Sequence, residues 1–133
     1  MKLNISDPKS AQSYSIEADE KTKIYLLDKK IKDEVVLEFL GAGYKGVITG
    51  GSDKQGFPMN ISLISGGSKR VLLSKGSVGF RPTKKGERRR KRIANKVVDQ
   101  ATQQVNIKLL SGDTKILEEK YKKVKEEKPA DKK

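Results

Sequence analysis

The sequence contains no cysteine, no histidine and no tryptophan. Without cysteine the protein cannot form disulfides, thiolate zinc sites or a thiol nucleophile. Without histidine it lacks the commonest general base and the commonest side-chain ligand of transition metals. Carboxylates, lysine or serine could still support catalysis. These absences nevertheless argue against an enzyme, and we expect no metal site and no cofactor.

Long apolar runs are also missing. No run approaches the roughly 20 residues that a membrane-spanning helix needs. The amino terminus, MKLNISDPKS, lacks the apolar segment of a signal peptide, so we expect a cytoplasmic protein. Hydrophobic residues make up 34% of the 133 residues, which is enough for one domain with a modest core.

The positive charge is concentrated in the middle of the chain. The net charge is +13, and residues 1–49 contribute nothing to it because eight lysines balance eight acidic residues. Residues 50–117 carry fifteen basic and four acidic residues. The densest part, RPTKKGERRRKR (residues 81–92), holds eight cations and one carboxylate, Glu87. Because so many like charges repel one another, we expect this segment to face a polyanion.

Arginine and lysine are distributed differently along the chain. All six arginines lie between positions 70 and 92, and the rest of the chain uses lysine alone. The planar guanidinium group binds phosphate bidentately and stacks on bases, whereas a solvated loop gains nothing from separating arginine from lysine. An acidic membrane would favour lysine interleaved with large apolar residues on a helix, and none lies between Arg81 and Arg92. Nucleic acid is therefore the expected partner.

Short segments with the apolar pattern of β-strands recur about every ten residues, separated by glycine-rich turns. They are MKLNIS (1–6), SYSIEA (13–18), GVIT (46–49), MNISLI (59–64), RVLLS (70–74), QQVNIKLL (103–110) and, after a turn, TKIL (114–117). Their number and spacing predict a mainly β protein, namely a small β-barrel with one short helix.

The helix is predicted over residues 32–41, KDEVVLEFLG, because Asp33 suits its first turn and Gly41 its C-terminal end. The run KIYLL (23–27) is compatible with a strand or a helix. The run IANKVV (93–98) is expected to be extended, although its pattern is ambiguous.

The domain organisation follows from these patterns. We expect a β-barrel domain over residues 1–117, with a basic extended loop at 81–92. A charged, flexible and partly helical tail is expected over residues 118–133, where Tyr121 and Val124 continue a helical spacing from Leu117.

Two glycine-rich motifs invite a nucleotide-binding interpretation. GAGYKG (41–46) matches G-x-G-x-x-G, but a dinucleotide site needs a strand before the loop and a helix after it, and the order expected here is the reverse. GGSDKQGF (50–57) lacks the order of a nucleoside-triphosphate loop. It could still present backbone N–H groups, Lys54 and Gln55 to a phosphate, and Phe57 to a base. An ordinary turn between strands explains it equally well.

Four acidic residues lie within the basic middle of the chain, and we expect each to pair locally with lysine or arginine. They are Asp53, Glu87, Asp99 and Asp113. The alternative is a small enzyme that acts on nucleic acid through Asp53 or Asp99.

Four segments occur in an order and at a spacing that resemble the S6e family of archaeal and eukaryotic small-subunit ribosomal proteins. They are GGSDKQGFPM (50–59), RVLLSKG (70–76), FRP (80–82) and GERRRK (86–91). The resemblance extends to the amino terminus and covers roughly residues 1–110. One departure follows GERRRK, where the family usually has serine and an Arg-Gly pair and this chain has Arg92-Ile93-Ala94-Asn95.

The resemblance implies a β-barrel embedded in small-subunit ribosomal RNA (rRNA), with neighbouring ribosomal proteins as further partners and no membrane or small-molecule substrate. Eukaryotic members extend into a long basic helix with phosphorylated serines. This chain ends at Lys133, so we expect that regulation to be absent and the source to be archaeal. The implied rRNA contacts are Lys54, Gln55, Arg70, Lys75, Arg81, Lys84, Lys85, Arg88, Arg89, Arg90, Lys91 and Arg92.

The expected function is therefore that of a structural constituent of the small subunit, which binds and stabilises rRNA through basic and glycine-rich loops and so supports translation. A free RNA chaperone or ribosome-assembly factor is the alternative that uses the same cations.

Overall fold

A computed structural model describes residues 1–64, 67–113 and 115–118. The protein is mainly β, as the sequence predicts: of the described residues, 43% lie in strands or isolated β-bridges and 10% in helix. The elements in chain order are β1 (Lys2–Asp7), β2 (Gln12–Glu17), α1 (Glu20–Leu26), β3 (Glu34–Val36), β4 (Lys45–Asp53), β5 (Lys69–Leu73), β6 (Arg89–Ile93) and β7 (Thr102–Ser111).

Five strands form the main sheet in the order β2-β1-β7-β4-β3. The longest strand, β7, lies at the centre, parallel to β1 and antiparallel to β4. Alternate residues of these three strands point to one face and are buried there, as their period of two predicts. The buried side chains are Leu3, Ile5, Ile48, Val105, Ile107 and Leu109.

The prediction of a β-barrel is not confirmed. Within the described part of the chain the main sheet stays open, with β2 and β3 at its edges, and β5 and β6 form a separate two-stranded sheet. The spacing of strands along a sequence predicts their number but not whether a sheet closes. Strand β6 has a single apolar residue, Ile93, so neither of its faces offers the row of apolar side chains that the interior of a closed barrel requires.

The two sheets are connected by the segment that follows β4. The Met59 N–H donates to the Gly51 carbonyl at 2.9 Å, and the Ala94 N–H donates to the Pro58 carbonyl at 2.8 Å. Residues 58–60 thus join β4 of the main sheet to the end of β6. This segment was predicted to be a full strand over 59–64, but it contributes only isolated bridges.

The prediction of a helix over residues 32–41 is wrong. The segment forms β3 and then a turn, with Val35 and Leu37 buried and Val36 exposed between them. Pairing with β4 overrides a weak helical pattern that contained two adjacent β-branched valines. The helix lies earlier instead, where α1 covers most of the ambiguous run 23–27.

Two further predictions concern the end of the chain. The run TKIL was predicted as a strand, yet residues 115–118 form a helical turn, in which Leu117 is buried in the main core. The predicted tail lies outside the described residues, apart from residue 118. No helix in the described ranges is both long and apolar enough to cross a membrane.

Candidate nucleic-acid interface

The β5–β6 hairpin carries much of the basic segment and presents it on two faces. The register places Arg70 opposite Arg92 and Leu72 opposite Arg90. Because cross-strand partners point the same way and neighbours along a strand point oppositely, these four residues share one face. We call it the arginine face. All four side chains are exposed, including Leu72 at 53%.

The opposite face of the hairpin packs on a small apolar cluster of its own. Leu73, Phe80 and Ile93 are buried together there, apart from the main core. Lys91 belongs to this face and holds its ammonium group 5.6 Å from the centre of the Phe80 ring. One side of the hairpin is thus anchored by apolar contacts, while the arginine face is left to solvent.

A single carboxylate organises the turn before β6. Glu87 Oε2 accepts hydrogen bonds from the Thr83 N–H at 2.9 Å and the Thr83 hydroxyl at 3.0 Å. Glu87 Oε1 lies 3.2 Å from Nε of Arg89. The Thr83 backbone and side-chain hydrogen bonds are the main cause that lowers the pKa of Glu87, and Arg89 contributes as well. The expected local pairing of this acid with an arginine is therefore present.

The glycine-rich turn after β4 does not offer free backbone N–H groups to a phosphate. The Gln55 and Phe57 N–H groups donate to Asp53 Oδ1 at 2.7 and 3.2 Å. The Lys54 N–H donates to the Ala101 carbonyl, and the Gly56 N–H to the Asp53 carbonyl. Gly56, with φ of 87°, allows this tight arrangement. Only the side chains of Lys54 and Gln55 remain for binding an anion.

Phe57 connects this turn to the arginine face. Its half-buried ring packs against the main core, and the Arg92 guanidinium lies 5.7 Å from the ring centre. The contact orients Arg92 toward the turn that carries Lys54 and Gln55. Since the ring is held between the core and Arg92, the structure does not favour the predicted stacking of Phe57 on a base.

All twelve residues implied as RNA contacts are exposed. The hairpin brings Arg70, Arg90 and Arg92 together, whereas Arg89 and Lys91 point to the packed face. The others lie in the connection between β5 and β6 or in the turn after β4. Among the described carboxylates, only Glu87 lies within ion-pair distance of any of these eleven cations, and it pairs with Arg89.

A cleft beside the glycine-rich turn was not anticipated from the sequence. It has a volume of about 330 Å³ and lies between residues 53–55, residues 67–68 and the segment 94–102. Asn95 lines it, is 6% exposed and has no hydrogen-bond partner for its Oδ1 atom. The available signal was the amide of Asn95 within the short run IANKVV, in which Lys96 is the only other polar residue.

The two carboxylates proposed for a nucleic-acid enzyme both stabilise turns. Asp53 Oδ1 accepts the two N–H groups described above, and Asp99 Oδ1 accepts from the Ala101 N–H at 3.0 Å and the Thr102 N–H at 3.1 Å. Within the described residues no group of three acidic side chains is arranged to hold a metal ion. GAGYKG is likewise followed by strand β4 and not by the helix that a dinucleotide site requires.

Comparison with known proteins is consistent with this geometry. The family model described as ribosomal protein S6e matches residues 1–122. The chain is 41% identical over 125 residues to the small ribosomal subunit protein eS6 of the archaeon Methanoregula boonei (strain DSM 21154 / JCM 14090 / 6A8). The match covers 93% of this chain and 87% of that protein. S6e proteins are structural and not enzymes, which confirms the corresponding prediction. The chain belongs to the ribosomal protein S6e family.

Proposed function

We propose that this protein is a structural constituent of the small ribosomal subunit in the cytoplasm, where it binds and stabilises rRNA and so supports translation. Its archaeal relative is named as a small-subunit protein, which supports the assignment. The arginine face is the centre of the proposed interface. Neighbouring small-subunit proteins are the other expected partners.

The pairing of Arg70 with Arg92 is the observation that carries the proposal. Like charges directly opposite each other on one face of a sheet destabilise the pairing. No described carboxylate lies in ion-pair distance of either residue. A phosphate between the two guanidinium groups turns this repulsion into two charge-assisted contacts. The arrangement therefore suits a polyanion better than it suits the isolated protein.

The spacing of the cations fits a nucleic-acid backbone. Arg90 and Arg92 are two residues apart on one strand, so their Cα atoms are roughly 7 Å apart. They can contact neighbouring phosphates while Leu72 lies against the sugar edge. Such contacts recognise the shape and backbone of RNA more than its base sequence.

The cations outside the hairpin widen this interface. Lys54 and Gln55 extend it from the Phe57 side, where Arg92 already lies over the ring. The connection between β5 and β6 adds exposed charge on either side of the turn held by Glu87. Its members are Lys75, Arg81, Lys84, Lys85 and Arg88.

The test compares two triple variants with equal loss of charge. R70Q/R90Q/R92Q neutralises the arginine face, and K9Q/K21Q/K45Q neutralises three exposed lysines of the charge-balanced region. Binding to a small-subunit rRNA transcript is measured across a salt series. We expect the first variant to weaken binding strongly and to flatten the logarithmic salt slope by about two to three, because each phosphate contact contributes about 0.7 to 0.9.

The control variant should change the slope by less than about one, and both proteins should melt close to the wild type because surface substitutions usually cost little. Equal effects of the two variants on RNA affinity would show that net charge alone matters, and the arginine face would lose its assigned role. Neutralising the consecutive residues 88–90 would be less informative, since Arg89 points to the packed face and pairs with Glu87.

A further inference from the structure

We infer that the cleft lined by Asn95 binds one unpaired RNA base whose Watson–Crick edge carries an exocyclic amino group next to a ring-nitrogen acceptor, that is, adenine or cytosine and not guanine, whose amino group there adjoins an N–H donor. This inference rests on the proposed RNA-binding function and adds a base-reading subsite to it. The cleft lies beside the turn that presents Lys54 and Gln55. A nucleotide bound there would be continuous with RNA on the arginine face.

The strongest observation is the unsatisfied amide in the cleft wall. Buried polar side chains are nearly always hydrogen-bonded, and each exception needs an explanation. Asn95 is 6% exposed and its Oδ1 has no partner, although the side chain lines a space of about 330 Å³. In its present buried position Oδ1 has no donor within the described residues, so it gains a hydrogen bond when the amide turns toward a donor in the cleft. Rotation about the soft terminal torsion of asparagine brings the oxygen to such a donor.

The other lining groups also favour a donor-bearing ring. Asp53 and Asp99 line the cleft and use their Oδ1 atoms to accept backbone N–H groups. Each carboxylate has a second oxygen, which is a further acceptor. Ala94, Val97 and Ala101 supply small apolar surface against which a flat ring can pack. The cleft thus combines apolar walls with a few polar groups, as small-molecule sites do.

The chemistry of the amide selects among the bases. A carboxamide offers an acceptor and a donor side by side, which matches an amino group next to a ring nitrogen acceptor. Adenine and cytosine present this pair on their Watson–Crick edges. Uracil presents carbonyl groups on either side of its N–H, and the carboxylates disfavour those carbonyls. Single-stranded RNA segments are where such edges are free to be read.

The test uses the intact protein labelled with nitrogen-15 and titrated separately with AMP, CMP, UMP and ribose 5-phosphate. We expect AMP and CMP to shift the amide signals of residues 94–102 and the Asn95 side-chain signals, with affinity about tenfold higher than for UMP. Ribose 5-phosphate should leave these signals in place. Shifts that appear equally with UMP or with the sugar phosphate would overturn the inference, as would shifts confined to the arginine face.

Variants separate a binding role of Asn95 from a structural one. N95A should lower AMP affinity about tenfold and should not lower the melting temperature, because the lost acceptor has no partner to leave unpaired. N106A, which removes an amide from the main sheet away from the cleft, is the matched control for AMP binding. Unchanged AMP affinity in N95A would refute the subsite.

The same experiment distinguishes this inference from the proposed function. R70Q/R90Q/R92Q should still bind AMP in the cleft, while N95A should retain the salt slope for the rRNA transcript. If the cleft fails to bind AMP or CMP but the arginine face still binds RNA, only the subsite is wrong. If the triple variant binds the transcript normally while AMP still shifts residues 94–102, the arginine-face proposal is wrong instead.

Discussion

Glu87 illustrates how one residue organises a segment of like charges. It is the single carboxylate in residues 81–92, and it accepts hydrogen bonds from Thr83 and pairs with Arg89. The sequence indicated only that such an acid would pair locally. The structure shows that it also closes the turn that leads into β6. The turn thus keeps a fixed backbone despite the repulsion between the neighbouring cations.

The first prediction concerns Glu87 and pH. The fold lowers the pKa of Glu87 below its ordinary value of 4.5. Its stabilisation of the turn is therefore complete above that value and is lost as the pH falls through the lower, folded pKa. E87Q should lower the protection factor of the Thr83 amide against hydrogen exchange at pH 6, and the wild-type protection factor, which corrects for the pH dependence of intrinsic exchange, should fall toward the same value near pH 3. E17Q, at an exposed strand position, is the control and should leave the protection of the Thr83 amide unchanged. An equal loss of protection in E17Q would show that Glu87 does not specifically stabilise this turn.

The second prediction concerns Tyr44, whose ring is buried and whose hydroxyl donates to the Asp113 carbonyl. Y44F should cost about 1 kcal/mol of unfolding free energy, because it removes the hydrogen bond that a buried side chain makes. The melting temperature should fall by roughly 3–5 °C. Y25F removes a more exposed hydroxyl that accepts from the Val36 N–H and should cost less. A larger loss in Y25F than in Y44F would refute this ranking.

Burial, followed by the charge of Asp113, also raises the pKa of Tyr44 above its ordinary value of 10.0. The folded state therefore holds the phenol proton more tightly than the unfolded state. Wild-type stability should decline as the pH rises above 10, and Y44F should lack this component of the decline. Thermal melts of the wild type and Y44F between pH 9 and 11 measure the difference between the two declines in stability.

At the scale of elements, strand β4 shows why glycine recurs in a strand that crosses the core. It pairs with β7 through several register shifts and carries glycines at positions 46, 50 and 51. A Cβ atom on Gly51 would lie 2.1 Å from the Gln104 carbonyl oxygen and 3.0 Å from the Met59 sulfur. Close approach of the backbone, and not turn formation, explains the residue at this position.

The third prediction compares two adjacent glycines of β4. G51A should destabilise the protein by roughly 2–3 kcal/mol, because the backbone of β7 must move to accept the methyl group. G50A meets no atom within 4 Å and should stay within about 0.5 kcal/mol of the wild type. Urea denaturation of both variants measures the difference. Equal stabilities would show that the close approach to Gln104 relaxes at little cost.

At the scale of the whole molecule, the positive charge is concentrated in one region. The charge-balanced residues 1–49 supply β1 to β3 and α1, whereas the cations of residues 70–92 extend from the hairpin. Such a distribution attracts a polyanion to one region only, and it makes association strongly dependent on salt.

The fourth prediction concerns the protein in its cell. Sucrose-gradient fractions of a native extract should contain about one copy of this protein per small subunit, at low salt and after a high-salt wash. Retention is expected because, in the proposed interface, phosphates would contact cations on several elements at once. Recovery near the top of the gradient, or release by mild salt, would instead favour the free chaperone or assembly factor.

Much of the fold could be read from period-two patterns. Strands β1, β2, β4, β5 and β7 each coincide with a segment predicted as a strand, because one buried face imposes alternation on the sequence. The prediction of a helix over residues 32–41 was wrong because residues 34–36 form an edge strand. No local sequence pattern reveals that this strand pairs with β4. The prediction that the sheet closes into a barrel was not confirmed for the same reason, since closure depends on contacts between strands that are distant in the sequence.

The sequence by itself determined where the positive charge lies and so favours a polyanion as the partner, because arginines confined to positions 70–92 suit phosphate binding. Only the tertiary structure decided which cations lie on one face. The register of β5 and β6 places Arg70 beside Arg92, and pairing across strands is invisible in a linear pattern. The packing of distant segments likewise buried Asn95 beside the turn at Lys54. Composition determines which functional side chains a protein has, whereas contacts between distant segments determine which of those side chains lie close together.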